Sequence, residues 1–404
     1  MHKLSITDLP IKGKRVIMRV DFNVPLDSNG NITDATRISS AIHSIKYVLD
    51  NGGSLILMSH LGRPKGKIVP ALSLKPVAKY LEKMIGTDVI MAPDCIGKEV
   101  QKLAENLKPG QVLLLENLRF HSAEEHPEED PKFAKELASL ADLYVNNAFG
   151  TAHRSHSSTV TITNYFKDKS AAGFLLEKEI QFLGSKVSNP ERPFFAIVGG
   201  AKVSSKIGVL RSLLKKVDAL FIGGGMAYTF FKAKGFEVGE SLHEDDLIEE
   251  AKNILSEAEK NGIPLYLPVD NVVADRLSED ANTQVVDSSS GIPLGHSGVD
   301  IGPKTIEMFS KKLNEGKTIL WNGPLGIFEI GQFAKGTKAI AKVIVNLDAI
   351  TIVGGGDSVA AVQSVGYADR VTHISTGGGA ALEYIEFEKL PAIEALSSPK
   401  VQSP

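Results

Sequence analysis

Short apolar runs rich in β-branched side chains recur along this chain, and each breaks off at a glycine or a polar residue. Arg15–Val20, Ser54–Ser59, Gln111–Leu115 and Asp142–Val145 read as buried strands in the first half. Phe194–Val198, Ala219–Ile222, Pro264–Pro268, Thr318–Trp321, Ala349–Val353 and Val371–Ile374 read the same way in the second. Between them the apolar spacing turns helical, over 37–50, 76–84 and 174–183. A fourth helix is expected over 203–216, where Val203, Ile207, Leu210, Leu213 and Leu214 line one face. Strands alternating with helices predict the α/β class, with parallel sheets covered on both faces. Gly173 and Gly184 bound the 174–183 helix and a Ser188-Asn-Pro190 turn follows, so the domain boundary is placed there.

Ligands of open α/β sheets bind beyond the carboxyl ends of the strands. In the first half those ends carry Asp21, Asn23, His60, Arg63, Arg119 and Arg154. Several successive strands deliver basic or amide side chains to one rim, the pattern of an anion site. Arginine forks match carboxylate and phosphate oxygens bidentately. His121, His153 and His156 read as supporting or structural. The second half repeats another device, a buried strand followed by glycines. It occurs at Gly199-Gly200, Gly223-Gly-Gly-Met226, Asn322-Gly-Pro-Leu-Gly326, Gly354-Gly-Gly-Asp-Ser358 and Ser375-Thr-Gly-Gly-Gly379. Glycine lets a ligand approach the backbone, and a helix start offers free N–H groups to phosphate. Lys202 and Lys206, four apart, are expected on one side of the first helical turns after Gly200. A basic rim and a glycine rim suggest a small anion on one side and a nucleotide on the other.

Two decoys fall away. Gly331-Gln-Phe-Ala-Lys-Gly-Thr-Lys338 has Gly-Thr-Lys where a phosphate-binding P-loop needs Gly-Lys-Thr, and it reads as a helix start. No Gly-x-Gly-x-x-Gly fingerprint occurs, which counts against a dinucleotide oxidoreductase. At 404 residues there is room for two or three domains, and a net charge of −3 argues against a nucleic-acid or anionic-membrane binder. A single cysteine, Cys95, fits a reducing compartment. With no apolar leader in 1–15 and no long apolar stretch, a cytoplasmic protein is expected.

Laid out in order, Arg19-Val-Asp-Phe-Asn-Val-Pro25, Ser59-His-Leu-Gly-Arg-Pro64, Leu115-Glu-Asn-Leu-Arg-Phe120 and Ala148-Phe-Gly-Thr-Ala-His-Arg154 closely resemble the phosphoglycerate kinase family. So do Gly199-Gly-Ala-Lys-Val203, Gly223-Gly-Gly-Met226, Trp321-Asn-Gly-Pro324, Gly354-Gly-Gly-Asp357 and Ser375-Thr-Gly-Gly-Gly-Ala380. The resemblance implies two doubly wound, Rossmann-like parallel-sheet domains joined by a hinge helix. These would be a phosphoglycerate-binding domain over 1–172, the hinge over 173–188 and a nucleotide-binding domain over 189–389. A tail over 390–404 would return to the first domain. Position by position, it makes Asp21, Asn23, Arg37, His60, Arg63, Arg119 and Arg154 the phosphoglycerate site. Gly200, Ala201, Lys202, Lys206, Gly225, Asn322, Pro324, Glu329, Gly355, Gly356, Asp357 and Ser358 would hold the nucleotide, with Glu329 on the ribose and Asp357 on Mg²⁺. Arg37, Lys202, Lys206 and Gly356 would serve the phosphoryl group in flight.

Asn147, Ser205 and Ser358 depart from the residues expected in the family, and 386–389 lacks a glycine before Lys389. The implied partners are 3-phosphoglycerate or 1,3-bisphosphoglycerate and ADP or ATP, on a monomer. A carboxylate nucleophile is already ionised at neutral pH, so no general base is needed. Catalysis then reduces to positioning, charge neutralisation and closure of the two lobes. The rival reading is a two-lobed anion- or nucleotide-binding protein without turnover.

Overall fold

The computed structural model describes residues 3–399. The chain forms two compact units: one runs to Ile180 and takes in the segment from Lys389 onward, the other spans Gln181–Glu388.

In the first unit, β1 (Arg15–Val20), β2 (Ser54–Met58), β3 (Val89–Met91), β4 (Val112–Leu114), β5 (Leu143–Asn147) and β6 (Ser170–Ala172) make one sheet. Their order is β3-β4-β2-β1-β5-β6 and every pairing is parallel. Alternate residues Val16, Met18, Leu55 and Leu57 pack against Ile38, Ile45, Val77 and Leu81 of the helices Thr36–Asp50 and Lys75–Ile85. The intervening Ile17, Ile56 and Leu113 are buried too, as a sheet covered on both faces requires. β3 and β6 were not expected; at three residues each they carry no periodicity to read. After Lys389 the chain is tied into this unit. Ala392 N–H donates to Ala152 O at 3.1 Å, and Leu4 N–H to Ser397 O at 2.8 Å.

The helix expected over 174–183 runs further. It is α-helical over Phe174–Glu179, widens to a π-helix over Ile180–Ser185 and returns to α over Lys186–Ser188. Gly184 does not end it. The Tyr384 hydroxyl lies 3.0 Å from where a Cβ would sit, so this glycine serves a close contact instead.

In the second unit, β7 (Phe194–Val198), β8 (Ala219–Ile222) and β9 (Leu265–Tyr266) come first. Next in sequence is an antiparallel trio, β10 (Asp270–Ala274), β11 (Thr283–Asp287) and β12 (Ser297–Ile301). β13 (Thr318–Asn322), β14 (Ile350–Gly354) and β15 (His373–Ile374) complete a parallel sheet ordered β15-β14-β13-β7-β8-β9. Trp321, Phe221, Phe309 and Ile340 centre its core. The sheet grows outward in both directions from β7 and β13, which puts the topological switch point between them. The antiparallel trio escaped the sequence pattern because β11 is mostly exposed and offers no continuous apolar run.

One expectation needs correction here. The helix placed over 203–216 spans only Ile207–Leu214, and 204–206 form a turn before it. Lys202 and Lys206 therefore do not share a helical face.

Candidate functional site

The first unit's rim is built from loops that lock one another. Asn117, after β4, donates from Nδ2 to Leu61 O at 2.7 Å and accepts from Leu61 N–H at 3.2 Å. That fixes the loop after β2 to the loop after β4. Asn23 Oδ1 accepts from Gly62 N–H at 2.8 Å, and Arg119 Nη1 donates to Gly62 O at 3.0 Å. Arg37, from the first turn of its helix, pairs with Asp21. Arg119 also pairs with Glu125 at 3.1 Å, yet its Nε is buried with no hydrogen-bond partner. Arg63 and Arg154 are exposed and, among the described residues, take part in no ion pair. Asp21, Asn23, Arg37, His60 and Arg119 are thus tied to one another or to shared loops, whereas Arg63 and Arg154 project from them unattached.

Beneath this rim lies a charge that strand reading passed over. Arg19 on β1 is fully buried. Its Nε donates to Ser158 Oγ at 2.8 Å, Nη2 sits 3.2 Å from His60 Nδ1 and 3.9 Å from Glu124 Oε1, and Nη1 donates to Val20 O. Burial followed by the charges of Arg19, Arg119 and Arg37 holds His60 well below the usual imidazole range. Burial with Arg19, Arg119 and Arg154 takes His156 down to about 3. Both rings are therefore neutral, and excess positive potential is what suppresses them beyond burial. Burial pushes Glu124 up, against the pull of Arg19 and the hydrogen bonds from Ser158. The signal for Arg19 was present as a charge inside an otherwise apolar strand.

The second unit's site sits at its switch point. A cleft of about 460 Å³ is lined by Gly200, Ala201, Gly225, Pro324, Glu329 and Asp357 among others. Lys206 turns inward: Nζ donates to Gly199 O at 2.7 Å, Asn322 O at 3.1 Å and Asn322 Oδ1 at 2.6 Å. Burial lowers its ammonium to about 8, with Asp357 pulling the other way. Lys202 is exposed. Glu244, which the sequence did not single out, braces the turn between the two lysines. It accepts from Ser204 N–H at 3.0 Å and from Ser204 Oγ at 2.5 Å.

Several glycines here serve the protein rather than a ligand. A Cβ on Gly199 would meet Pro324 O at 2.1 Å, and one on Gly323 would meet Gly199 O at 2.2 Å. They let the loops after β7 and β13 touch backbone to backbone. Ser358 is likewise engaged, since its Oγ accepts from Gly323 N–H at 2.7 Å. Gly356 differs. It opens the helix Gly356–Ser364, and a Cβ there would meet nothing within 4 Å, so the helix N-terminus faces open space. Asp357 lies in that first turn. Burial and then Glu329 raise its carboxyl, while Lys206 opposes them.

A family model described as phosphoglycerate kinase matches residues 6–388. A phosphoglycerate kinase of Koribacter versatilis is 56% identical over 405 residues, covering 98% of this chain and all of the relative. The cytosolic phosphoglycerate kinase 3 of Arabidopsis thaliana is 53% identical, covering 97% of each chain. Among solved structures, phosphoglycerate kinase from Coxiella burnetii superposes with a TM-score of 0.87 at 40% identity, covering 97% of this chain and 98% of its own. Among the described residues no helix is long and apolar enough to cross a membrane. A match across nearly the whole length, in sequence and in fold, places this chain in the phosphoglycerate kinase family.

Proposed function

We propose that the chain transfers the acyl phosphoryl group of 1,3-bisphosphoglycerate to ADP, reversibly, giving 3-phosphoglycerate and ATP. The observation that carries the reading is Arg119. Its Nε is a buried donor with no partner, beside the positive charges of Arg19 and Arg154. Leaving such a donor unanswered costs about 1–3 kcal/mol, which a bound anion would recover. Asp21, Asn23, Arg37, His60, Arg63 and Arg154 complete the phosphoglycerate site in this proposal. Asp21 orients the Arg37 fork, and the neutral His60 ring offers hydrogen bonding without adding charge.

The nucleotide is assigned to the second unit's cleft. Gly355, Gly356 and the helix behind them would receive phosphate oxygens, and Glu329 the ribose. Lys206 exchanges its three oxygen partners for a phosphate oxygen, and exposed Lys202 reaches the group in flight. The carboxylate of 3-phosphoglycerate is ionised, so the residues need only position reactants and offset charge. Asp357 fits a hard divalent cation: it is an exposed carboxylate, raised by partial desolvation and by nearby Glu329, and among the described residues it enters no ion pair. Asp357 would hold Mg²⁺ together with the nucleotide, and the bound ion would neutralise phosphate charge. Acceptor and donor are assigned to different units, so transfer is proposed to require closure about the 173–188 segment. A cytoplasmic monomer completes the proposal.

The test is ADP formation from ATP that depends on 3-phosphoglycerate, followed in a coupled assay. A folded protein that binds both ligands without turnover would revive the binding-protein reading. The oxidoreductase reading has no support at the loop after β7, where Gly199-Gly-Ala-Lys-Val203 lacks the dinucleotide fingerprint.

A further inference from the structure

Cys95 is the chain's only cysteine, and nothing in the proposed reaction uses it. It lies with Asp94 in the loop after β3. His121 follows the short 3-10 turn Leu118–Phe120 that carries Arg119. These two segments, far apart in sequence, meet at one point. His121 Nε2 stands 2.7 Å from Asp94 Oδ1, and the Cys95 N–H donates to that same oxygen at 2.6 Å. One donor atom from each of Asp94, Cys95 and His121 falls within 4.8 Å of the others, the only such trio of Cys, His or acidic side chains among the described residues. The sulfur side is closed, because Cys95 is fully buried, while Asp94 and His121 keep 43% and 30% of their side chains exposed.

We propose that Asp94, Cys95 and His121 form a binding site for a borderline-to-soft divalent cation such as Zn²⁺, with water in the fourth, exposed position. The donor set makes the selection. A thiolate, an imidazole nitrogen and a carboxylate oxygen suit Zn²⁺, Co²⁺ or Cd²⁺ in tetrahedral geometry. Mg²⁺ prefers oxygen ligands and would be left to the nucleotide. Ligands around tetrahedral zinc sit roughly 3.3–3.8 Å apart, as Zn–N and Zn–S lengths dictate, so the wide side of the trio, up to 4.8 Å, must draw in by about 1 Å while the 2.7 Å His121–Asp94 contact opens by about 0.6 Å. Protons balance simply. The Cys95 thiol gives its proton to solvent as the S–metal bond forms. His121 moves its N–H to Nδ1 so that the Nε2 lone pair faces the ion. Two anionic ligands then offset the double charge, and nothing is oxidised or reduced. A bound ion would staple the loop after β3 to the segment that carries Arg119.

The experiment titrates the full chain with Co²⁺, free of nucleotide and magnesium. The proposal expects one equivalent bound, an intense near-ultraviolet sulfur-to-cobalt band, and loss of that band when Zn²⁺ displaces the cobalt. Cys95→Ser should abolish the band and weaken zinc at least tenfold, and His121→Gln should weaken zinc comparably. X-ray absorption on the unmodified zinc-loaded protein needs no variant, and should find one sulfur at about 2.3 Å. Zinc surrounded only by oxygen and nitrogen, cobalt bound without the sulfur band, or unchanged zinc affinity in folded Cys95→Ser protein would each overturn the site.

Discussion

In the proposed function the two units meet anions in opposite ways. The first presents side chains: Arg119 and Arg154 beyond strand ends and Arg37 from a helix's first turn, with the buried Arg19 beneath. The second presents backbone: a helix opening at Gly356, and loops pressed together at Gly199 and Gly323 with one inward lysine as their pin. In the side-chain site Asp21 holds Arg37, Glu125 and Gly62 O hold Arg119, and the Arg19 network beneath bears on His60. The backbone site needs glycine where two loops cross, and Lys206 turns its ammonium onto three oxygens of those loops. The contrast suits the proposed ligands. A small rigid anion is gripped by forks, whereas a chain of phosphates lies along N–H groups.

The largest effect should come from unbalancing the first unit's network. Arg19→Met leaves Glu124 buried without its cation and should cost about 3–5 kcal/mol of stability, read by denaturant unfolding. Adding Glu124→Gln should recover part of the loss. Equal damage from the single and double variants would remove the ion pair from the argument.

Next come the lysines of the second unit. Lys206→Met strips the cation from three oxygens and should lower both melting temperature and nucleotide affinity, the latter roughly ten- to a hundredfold for a lost charge-assisted contact. Lys202→Met touches only an exposed chain, so kcat should fall while the melting curve stays in place. Thermal melts beside steady-state kinetics check the split, and a Lys202→Met enzyme with unchanged kcat takes that lysine out of the reaction.

Arg119→Ala should raise KM for 3-phosphoglycerate roughly tenfold or more through loss of a charge-assisted contact, leaving nucleotide binding nearly unchanged. Arg63→Ala should do so less, since Arg63 is unanchored in the free protein. Equal weakening of both ligands would erase the distinction between the units.

The smallest effect is in pH. Folding lowers the Lys206 pKa to about 8 from 10.5, so the fold disfavours its charged form. Below pH 8 both folded and unfolded chains carry the proton and the penalty is complete. Between 8 and 10.5 the folded chain releases it first, so Lys206 contributes rising stability with pH. Nucleotide affinity should move the other way, weakening as pH rises through about 8. Denaturant unfolding across pH checks the first and titration calorimetry with nucleotide the second, each on the unmodified protein and Lys206→Met, because the variant should lose both dependences.

How far could the chain be read without its structure? The central strands could, because β1, β2, β7, β8, β13 and β14 are buried on both faces and must be written as apolar runs. The strand-end residues followed, since the α/β class puts ligands there. β11 was invisible, being an exposed partner in an antiparallel pair. The helix starts four residues later than the apolar spacing predicts because Val203, buried just before the turn, mimics a helical position. Local periodicity registers burial, not the element that achieves it.

From the sequence alone came the α/β class, the central strands, the rim positions and the resemblance to phosphoglycerate kinases, each resting on residues close together in the chain. Tertiary structure decided which of two lysines turns inward, which glycines face protein rather than open space, that Arg19 anchors the rim from below, and that Asp94 and Cys95 meet His121. Those outcomes depend on loops from separate strands packing against each other, and a side chain's partner across such a contact leaves no trace in the spacing of its own segment.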